Sequence, residues 1–111
     1  MALLALTSVT RAGTDTAGAA ADVAGDTFPN AGREYLVVKN SSASPITVTL
    51  DVTMTVDGQT VVDPTVSVPA GGERIIGPWP TGIYNDANGR VKATCSAIAS
   101  VTVKALTLAA A

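Results

Sequence analysis

The feature that most constrains the fold is a strict alternation of apolar and polar residues in the segment ITVTLDVTMTVD, residues 46–57. A period of two matches a β-strand, in which successive side chains point to opposite faces. The segment therefore predicts a strand that is buried on one face and solvated on the other. Asp57-Gly58 is the dipeptide expected in a tight hairpin turn, and Gln59 to Val62 follows as the returning strand. The predicted buried face consists of Ile46, Val48, Leu50, Val52, Met54 and Val56.

Further short apolar segments, separated by Pro and Gly, predict more strands along the chain. At Leu106 and Leu108 the apolar parity changes, so this end of the last strand is either covered on both faces or interrupted by a bulge. A turn is expected from Asn85 to Gly89. The predicted strands are Ala2 to Val9, the two halves of VSVPAGGERIIG, a short strand near Ile83, one through Val91, Ala93, Cys95 and Ala97, and one through Val101, Val103 and Ala105.

The pattern of elements predicts an all-β fold. No segment has the length and spacing of a core helix, and AGAAADVA, residues 17–24, has the composition for a turn or two of helix at most. Roughly seven to nine short strands with regular turn signals are typical of an antiparallel β-sandwich or a jelly roll. The length of 111 residues suits one hydrophobic core and hence a single domain.

A long segment near the N-terminus, residues 10–36, consists largely of Ala, Gly, Thr and Asp. A connection of this length without structure is uncommon inside a compact domain, and small residues allow the backbone to approach a neighbouring surface closely. We therefore expect residues 1–32 to form an N-terminal strand and an extended arm laid over another protein, and residues 33–111 to form the sandwich core. The candidate interface residues in the arm are Gly18, Ala19, Ala20, Ala21, Val23 and Phe28.

Trp79 is a further candidate interface residue, because it is the one Trp of the chain and lies between Pro78 and Pro80. The two prolines hold it on a stiff connection. Two interpretations are open at this stage: Trp79 is a lid over one end of the sandwich, or it is an anchor that inserts into a pocket of a partner.

Composition argues against several kinds of chemistry. The chain has no His and one Cys, so it lacks the commonest general base and metal ligand and has no partner for a disulfide. We expect no enzymatic activity, no metal and no cofactor. Seven cations, scattered singly, against nine carboxylates give a net charge of −2, which disfavours direct binding to nucleic acid or to anionic membranes.

Two segments resemble reactive or metal-binding motifs but have simpler explanations. Cys95 lies on the inward parity of its strand among small residues, and we predict a buried structural thiol rather than a nucleophile. Asn85 to Gly89, NDANG, begins like a calcium-binding loop but lacks the further acidic residues and the closing Glu of such a loop. We predict that it is a hairpin turn.

The remaining polar candidates are assigned to the surface. Asp51 and Asp57 lie on the outward face and in the turn of the alternating segment, and Asp63 precedes a proline, so we predict three solvated carboxylates. Asn40 begins a glycosylation sequon, which matters only in a secreted protein. The apolar N-terminus has no preceding basic residue and ends at Leu6, and we interpret it as a first strand rather than as a signal peptide or membrane span.

Several segments together resemble a family of virion proteins. AAADVAGDTFPNAGREYLVVKN, followed by SPITVTL, VPAGGERIIGPWP and YNDANGRVKATCS, is similar to the small all-β capsid decoration, or cement, proteins of tailed bacteriophages, particularly phages that infect actinobacteria. The resemblance covers most of the chain from Ala19 onward. It implies a β-sandwich that binds the outside of the capsid, commonly as a trimer at three-fold positions, and reinforces the shell against internal DNA pressure.

The resemblance also implies partners and a location. The partners are the major capsid protein and further copies of the chain, and the location is the capsid exterior after synthesis in the host cytoplasm. Two alternatives stay open: another virion component, at the head-to-tail connection or in the tail, and an adhesion or carbohydrate-binding sandwich. The second alternative is weakened by an aromatic content of 4%, because sugars are commonly held against exposed aromatic rings. An enzyme is the most distant possibility.

Overall fold

The computed structural model describes residues 2–14 and 17–108 and has an all-β architecture. Within these residues one short helix, α1 (Thr81–Tyr84), accompanies the strands. The strands are β1 (Ala2–Leu3), β2 (Leu6–Val9), β3 (Ala19–Ala20), β4 (Asp26–Pro29), β5 (Glu34–Asn40), β6 (Ile46–Leu50), β7 (Thr55–Val56), β8 (Gln59–Thr60), β9 (Thr65–Val68), β10 (Glu73–Ile76), β11 (Arg90–Cys95) and β12 (Val101–Leu108).

Two five-stranded sheets pack against each other around one core. Sheet A has the strand order β1-β4-β11-β6-β9, and sheet B has the order β10-β5-β12-β2, with β3 also paired to β12. Most neighbouring strands are antiparallel, whereas β1 runs parallel to β4 and β2 parallel to β12. The predicted single-domain β-sandwich is therefore confirmed.

The alternating segment follows the prediction over its first half. In β6, Ile46, Val48 and Leu50 are buried, whereas Thr47 is exposed. Apolar side chains from the inner faces of both sheets meet these three and form one hydrophobic core. Its buried members are Leu4, Ala21, Phe28, Leu36, Val38, Ile46, Val48, Leu50, Val68, Trp79, Val91, Ala93, Cys95, Val101, Val103 and Ala105.

The second half of the alternating segment differs from the prediction. β6 ends at Leu50, and beyond it Met54 and Val56 are exposed. β9, which pairs with β6 at the edge of sheet A, begins directly after Pro64, whose ring nitrogen has no hydrogen to donate to a ladder. Residues 52–62 therefore leave the sheet, and β7 and β8 pair with each other as a separate hairpin.

The first predicted strand, Ala2 to Val9, is divided between the two sheets. β1 pairs with β4 in sheet A, and β2 pairs with β12 in sheet B. The chain crosses from one sheet to the other at Leu4, whose side chain is buried and whose backbone N–H donates to the carbonyl of Thr27 at 2.7 Å. One segment thus supplies a strand at one end of the order of each sheet.

β12 is covered on both faces at Leu106. Residues 101–107 pair with β5 in continuous register, so this stretch contains no bulge. Leu106 is buried on the face that points away from the core, where its neighbours in register are Tyr35 and Thr7. At Leu106 the prediction that the strand is covered on both faces is therefore confirmed, and the alternative of a bulge is wrong. The side chain of Leu108 lies outside the described part of the chain.

The segment predicted to be an extended arm lies on this chain's own sandwich. β3 pairs with β12, and the Ala21 N–H donates to the carbonyl of Val101 at 3.0 Å. Phe28 belongs to β4, in sheet A, and is wholly buried. Strands on both sides of the boundary expected at residue 32 thus belong to the same two sheets.

Gly18 shows why this segment is rich in small residues. A Cβ atom at Gly18 would lie 2.4 Å from the carbonyl oxygen of Val103 and 3.0 Å from its nitrogen, which is closer than a side chain tolerates. The backbone therefore approaches β12 at a distance that glycine alone permits. The close approach inferred from the sequence is real, but its target is the same chain rather than a neighbouring protein.

The connection between β10 and β11 also differs in part from the sequence prediction. The short strand expected near Ile83 is the helix α1, which begins after Pro80, where φ is −60°, a value that the proline ring favours and that suits a helix start. A turn is present, because the Gly89 N–H donates to the carbonyl of Asp86 at 3.1 Å, but it joins α1 to β11 and is therefore not the hairpin turn that the sequence predicts.

The docking of residues 18–21 predicts a cost for enlarging Gly18. We expect Gly18→Ala to lower the free energy of unfolding by about 1 to 3 kcal/mol, because the added methyl group must displace β3 from β12. Gly82→Ala is the matched control, since a Cβ at this helical position meets nothing within 4 Å and Ala favours a helix. Urea unfolding measures both variants, and equal unfolding midpoints would contradict the docking.

Candidate interaction surface

Three of the seven predicted interface residues lie in the core. Phe28, Trp79 and Ala21 are buried, and the rings of Phe28 and Trp79 pack at a centroid distance of 5.3 Å with a 51° tilt. Of the two interpretations of Trp79, the lid over the sandwich is therefore confirmed and the anchor for a partner is wrong. Neither aromatic ring is available to a partner. Both rings belong to a core whose other buried members are mostly Val, Ala and Leu, so they supply much of its bulk.

The other four predicted residues are exposed, but three of them offer little side chain. Gly18, Ala19 and Ala20 lie along β12 and contribute at most a methyl group each. Val23 is 76% exposed in the turn that the Gly25 N–H closes by donating to the carbonyl of Asp22. The side chains that the small-residue segment offers to a partner thus reduce mainly to Val23.

A shallow groove lies where β2 and β3 approach β12 side by side. Its volume is about 180 Å³, below the roughly 300 to 1,000 Å³ of typical small-molecule sites. The lining is mainly aliphatic and has one charged residue, Lys104, so the groove lacks the converging polar groups that orient a ligand. Its lining residues are Leu4, Ala5, Ala19, Val103, Lys104 and Ala105.

The largest concentration of exposed apolar side chains is the 52–62 hairpin, the segment that contains β7 and β8. Of the eight large apolar side chains that are exposed in the described part of the chain, four lie here. Every residue from 53 to 62 is exposed, so both faces of the hairpin are open to solvent. The four and their exposed fractions are Met54 38%, Val56 56%, Val61 36% and Val62 89%.

The base of the hairpin is fixed to the sandwich at each consecutive residue from 50 to 54. The Leu50 and Asp51 N–H groups donate to the carbonyls of Pro64 and Lys92, both at 3.1 Å. The Val52 N–H donates to Asp63 Oδ1 at 2.9 Å. The next two amides both donate to one carbonyl of α1: Thr53 N to Ile83 O at 2.8 Å and Met54 N to Ile83 O at 3.2 Å.

The tip of the hairpin is a two-residue turn. Asp57 and Gly58 have φ values of 52° and 75°, as a type I′ turn requires, and this turn matches the twist of paired strands. Thr55 pairs with Thr60, and Val56 with Gln59. The predicted Asp57-Gly58 turn is therefore confirmed, and the hairpin is ordered at both its base and its tip.

The sequence interpretation located the hairpin but assigned its apolar side chains to the core. Parity shows which residues share a face, but not whether another layer covers that face. Asp63-Pro64 is the available signal, because a proline at this position keeps the neighbouring strand from extending back toward residue 62. Asp63 was expected to be a solvated carboxylate, whereas it is half-buried and accepts the hydrogen bond from Val52.

The core contains one carboxylate with an unusual environment. Asp26 is buried; its Oδ2 accepts a hydrogen bond from the Asp22 N–H at 3.3 Å, and its Oδ1 has no hydrogen-bond partner among the described residues. Burial raises the pKa of the Asp26 carboxyl; the bond from Asp22 N–H opposes the rise, and the negative charge of Asp22 adds to it. The Asp26 carboxylate is thus more costly to ionise in the folded chain.

Cys95 is the buried free thiol that the sequence predicts. Burial raises the pKa of Cys95, and the nearby charge of Asp26 raises it further. A thiol with a raised pKa is mostly protonated at neutral pH and is a poor nucleophile. The environment of Cys95 therefore suits packing rather than reaction.

The two Asn-containing motifs have structural roles. The Asn40 side chain is buried, and its amide nitrogen lies 2.8 Å from the carbonyl oxygen of Ser44 and 3.3 Å from that of Val68, so it is not presented to a modifying enzyme. Asp86 Oδ1 accepts hydrogen bonds from the backbone N–H groups of Asn88 and Arg90 at 2.8 and 3.1 Å. The carboxylate that would begin a calcium loop thus closes the turn.

Comparisons of the chain with protein-family models, with curated protein sequences and with solved structures find no significant match. Among residues 2–14 and 17–108, no helix is long and apolar enough to cross a membrane. The same residues contain no group of three or more Cys, Asp or Glu side chains placed to hold a metal ion. The resemblance to phage decoration proteins stays a prediction, and the surface feature that the chain itself offers is the apolar 52–62 hairpin.

The environment of Asp26 predicts a pH-dependent stability. The pKa of Asp26 is raised in the folded state, so the folded chain holds the proton more tightly than the unfolded chain does. This difference adds to the free energy of unfolding. The contribution is fully present below the ordinary carboxyl pKa of about 3.9 and is lost as pH rises through the folded-state pKa. Asp26→Asn, which cannot ionise, should therefore gain stability relative to the wild type as pH increases. Urea unfolding of both proteins between about pH 3 and pH 8 measures this, and a difference independent of pH would contradict it.

Proposed function

We propose that this protein is a structural virion protein that binds the outer surface of a phage capsid and reinforces the shell. The observation that carries the proposal is the 52–62 hairpin, which gathers half of the exposed large apolar side chains of the described residues into one projection. Exposed apolar side chains that are clustered rather than scattered are typical of protein–protein contact sites. The β-sandwich is also the fold that the resemblance to decoration proteins implies.

Reinforcement requires that each bound molecule links more than one neighbour. Besides the hairpin, the chain exposes β10, which lies at an edge of sheet B and carries Ile75, 64% exposed. An edge strand presents unpaired backbone groups that pair readily with another chain. In this proposal β10 contributes to contact between copies of the chain, as a trimer, and the hairpin contacts the major capsid protein.

The carbohydrate-binding alternative is less well supported than a protein partner. Sugars are commonly held against exposed aromatic rings, and the chain has one Phe, one Trp and two Tyr. Phe28 and Trp79 are buried, and Tyr35 and Tyr84 are half-buried. The exposed apolar surface is instead aliphatic, which suits contact with another protein.

The test uses shells assembled without this protein from the major capsid protein that the same genome encodes. We expect the full chain to co-sediment with these shells to a saturating ratio and to raise the temperature at which the shells dissociate, because ligand binding stabilises the state that binds. Purified tails from the same phage are the control particle and distinguish the head from the tail alternative. Absence of saturable binding to shells, or saturable binding to tails alone, would contradict the proposal.

A further inference from the structure

We infer that the 52–62 hairpin docks into an apolar groove with a basic rim on the major capsid protein. This inference rests on the proposed function and adds to it the part of the chain that makes the contact and the chemistry of the surface that receives it. Three properties of the hairpin lead to it: its exposed apolar side chains, its fixed conformation and the sign of the charge around it.

The shape of the hairpin favours a groove over a flat surface. Residues 53–62 are exposed on both faces, and the paired strands β7 and β8 belong to neither of the large sheets. A flat partner would cover one face and leave the other in water. A groove covers both, and so removes from water the side chains of Val56 and Val62 together with Met54 and Val61. Burial of apolar surface is the main favourable term in protein association.

The fixed conformation of the hairpin lowers the cost of binding. Ordering a flexible loop at an interface opposes association, and a loop that is already ordered avoids this loss. Backbone N–H groups of residues 50–54 are all hydrogen-bonded to the sandwich or to Asp63. The Thr53 hydroxyl adds contacts here, because its oxygen lies 3.1 Å from the carbonyl oxygen of Ile83, in α1, and 2.6 Å from that of Asn85.

The charge of the chain segment that carries the hairpin indicates the chemistry of the partner's rim. Residues 40–72 contain Asp51, Asp57 and Asp63 and no Lys, Arg or Glu, for a charge of −3, whereas the rest of the chain has seven cations and six carboxylates, from the totals of seven and nine. The backbone carbonyl of Lys92 accepts a hydrogen bond from the Asp51 N–H. The Lys92 side chain extends the other way, with its Cε beside Gly25 in the turn before β4, so its charge does not offset that of the hairpin segment. A surface with Lys or Arg around an apolar centre therefore complements the hairpin.

The same charge disfavours other occupants. Two copies that met through their hairpins would bring carboxylates together at the tip, at Asp57, and at the base, at Asp51 and Asp63, and like charges at an interface oppose association. Anionic lipid headgroups would be repelled in the same way. A basic-rimmed groove on another protein satisfies the apolar and the charged parts of the hairpin together.

The apolar part of the inference is tested with a double variant, Val56→Ser with Val62→Ser. Both side chains are exposed, so we expect an unchanged melting transition and at least a tenfold weaker affinity for the undecorated shells. Val23→Ser is the matched control, because it removes a Val that is 76% exposed elsewhere, and its affinity should stay within about twofold of the wild type. Co-sedimentation over a range of concentrations gives the affinities.

The charged part is tested with Asp57→Asn, which keeps a residue suited to the type I′ turn and removes the carboxylate. We expect binding of the wild type to shells to weaken as salt is raised, and the variant to bind more weakly at low salt with a smaller salt dependence. Asp22→Asn, in the turn before β4, is the control for loss of a carboxylate, because Asn can still accept the hydrogen bond that the Ala24 N–H donates to Asp22 Oδ1 at 2.9 Å.

The outcomes separate the inference from the proposed function. If the wild type does not bind shells, the proposed function fails. If the wild type binds and the double variant binds equally well, or if Val23→Ser causes the loss instead, the inference about the hairpin is overturned. A double variant that dissociates into smaller particles in light scattering would mean that the hairpin joins copies of this chain, which also overturns it. If the double variant melts early, Asp57→Asn and its salt dependence decide.

Discussion

The structure depends on the pairing of β12 along both of its edges. Seven consecutive residues pair with β5 on one edge, while β2 and β3 occupy the other. The same strand directs Val101, Val103 and Ala105 into the core. One strand therefore pairs with the N-terminal segment, forms the centre of sheet B and contributes to the core. Residues 18–21 are held within the fold by this strand, and their side chains are small because the backbone approaches β12 closely.

Buried polar side chains complete the frame by holding the connections between strands. Asn40 links the end of β5 to the carbonyl oxygens of Val68 and Pro69, each 3.3 Å away. The Asn30 amide lies 3.0 Å from the carbonyl of Trp79 and 2.7 Å from Asn85 Oδ1. These groups are satisfied within the chain, as buried polar groups must be. Asp26 is the contrasting case, since one of its oxygens is buried without a partner among the described residues.

The frame has a functional consequence, because it fixes the base of the 52–62 hairpin while leaving its surface in water. A free two-stranded hairpin is marginally stable, and here the backbone hydrogen bonds of residues 50–54 supply the missing support. The result is an apolar projection with a defined shape and three carboxylates along the chain around it. These are the properties from which a structural role on a virion, and a basic-rimmed apolar partner, are proposed.

The sequence by itself determined the positions of β6, β10, β11 and β12, the Asp57-Gly58 turn, the buried thiol Cys95 and the all-β class, because periodicity and turn chemistry act over a few neighbouring residues. Tertiary structure decided which apolar faces have a layer above them. Val48 is covered and Val56 is not, although both lie on one parity of one segment. In the same way, the small residues around Gly18 indicate that this segment packs closely against a surface. Only the tertiary structure, through the approach to Val103, shows that the surface is β12 of the same chain. Coverage depends on residues far apart in sequence, and local patterns carry no information about them.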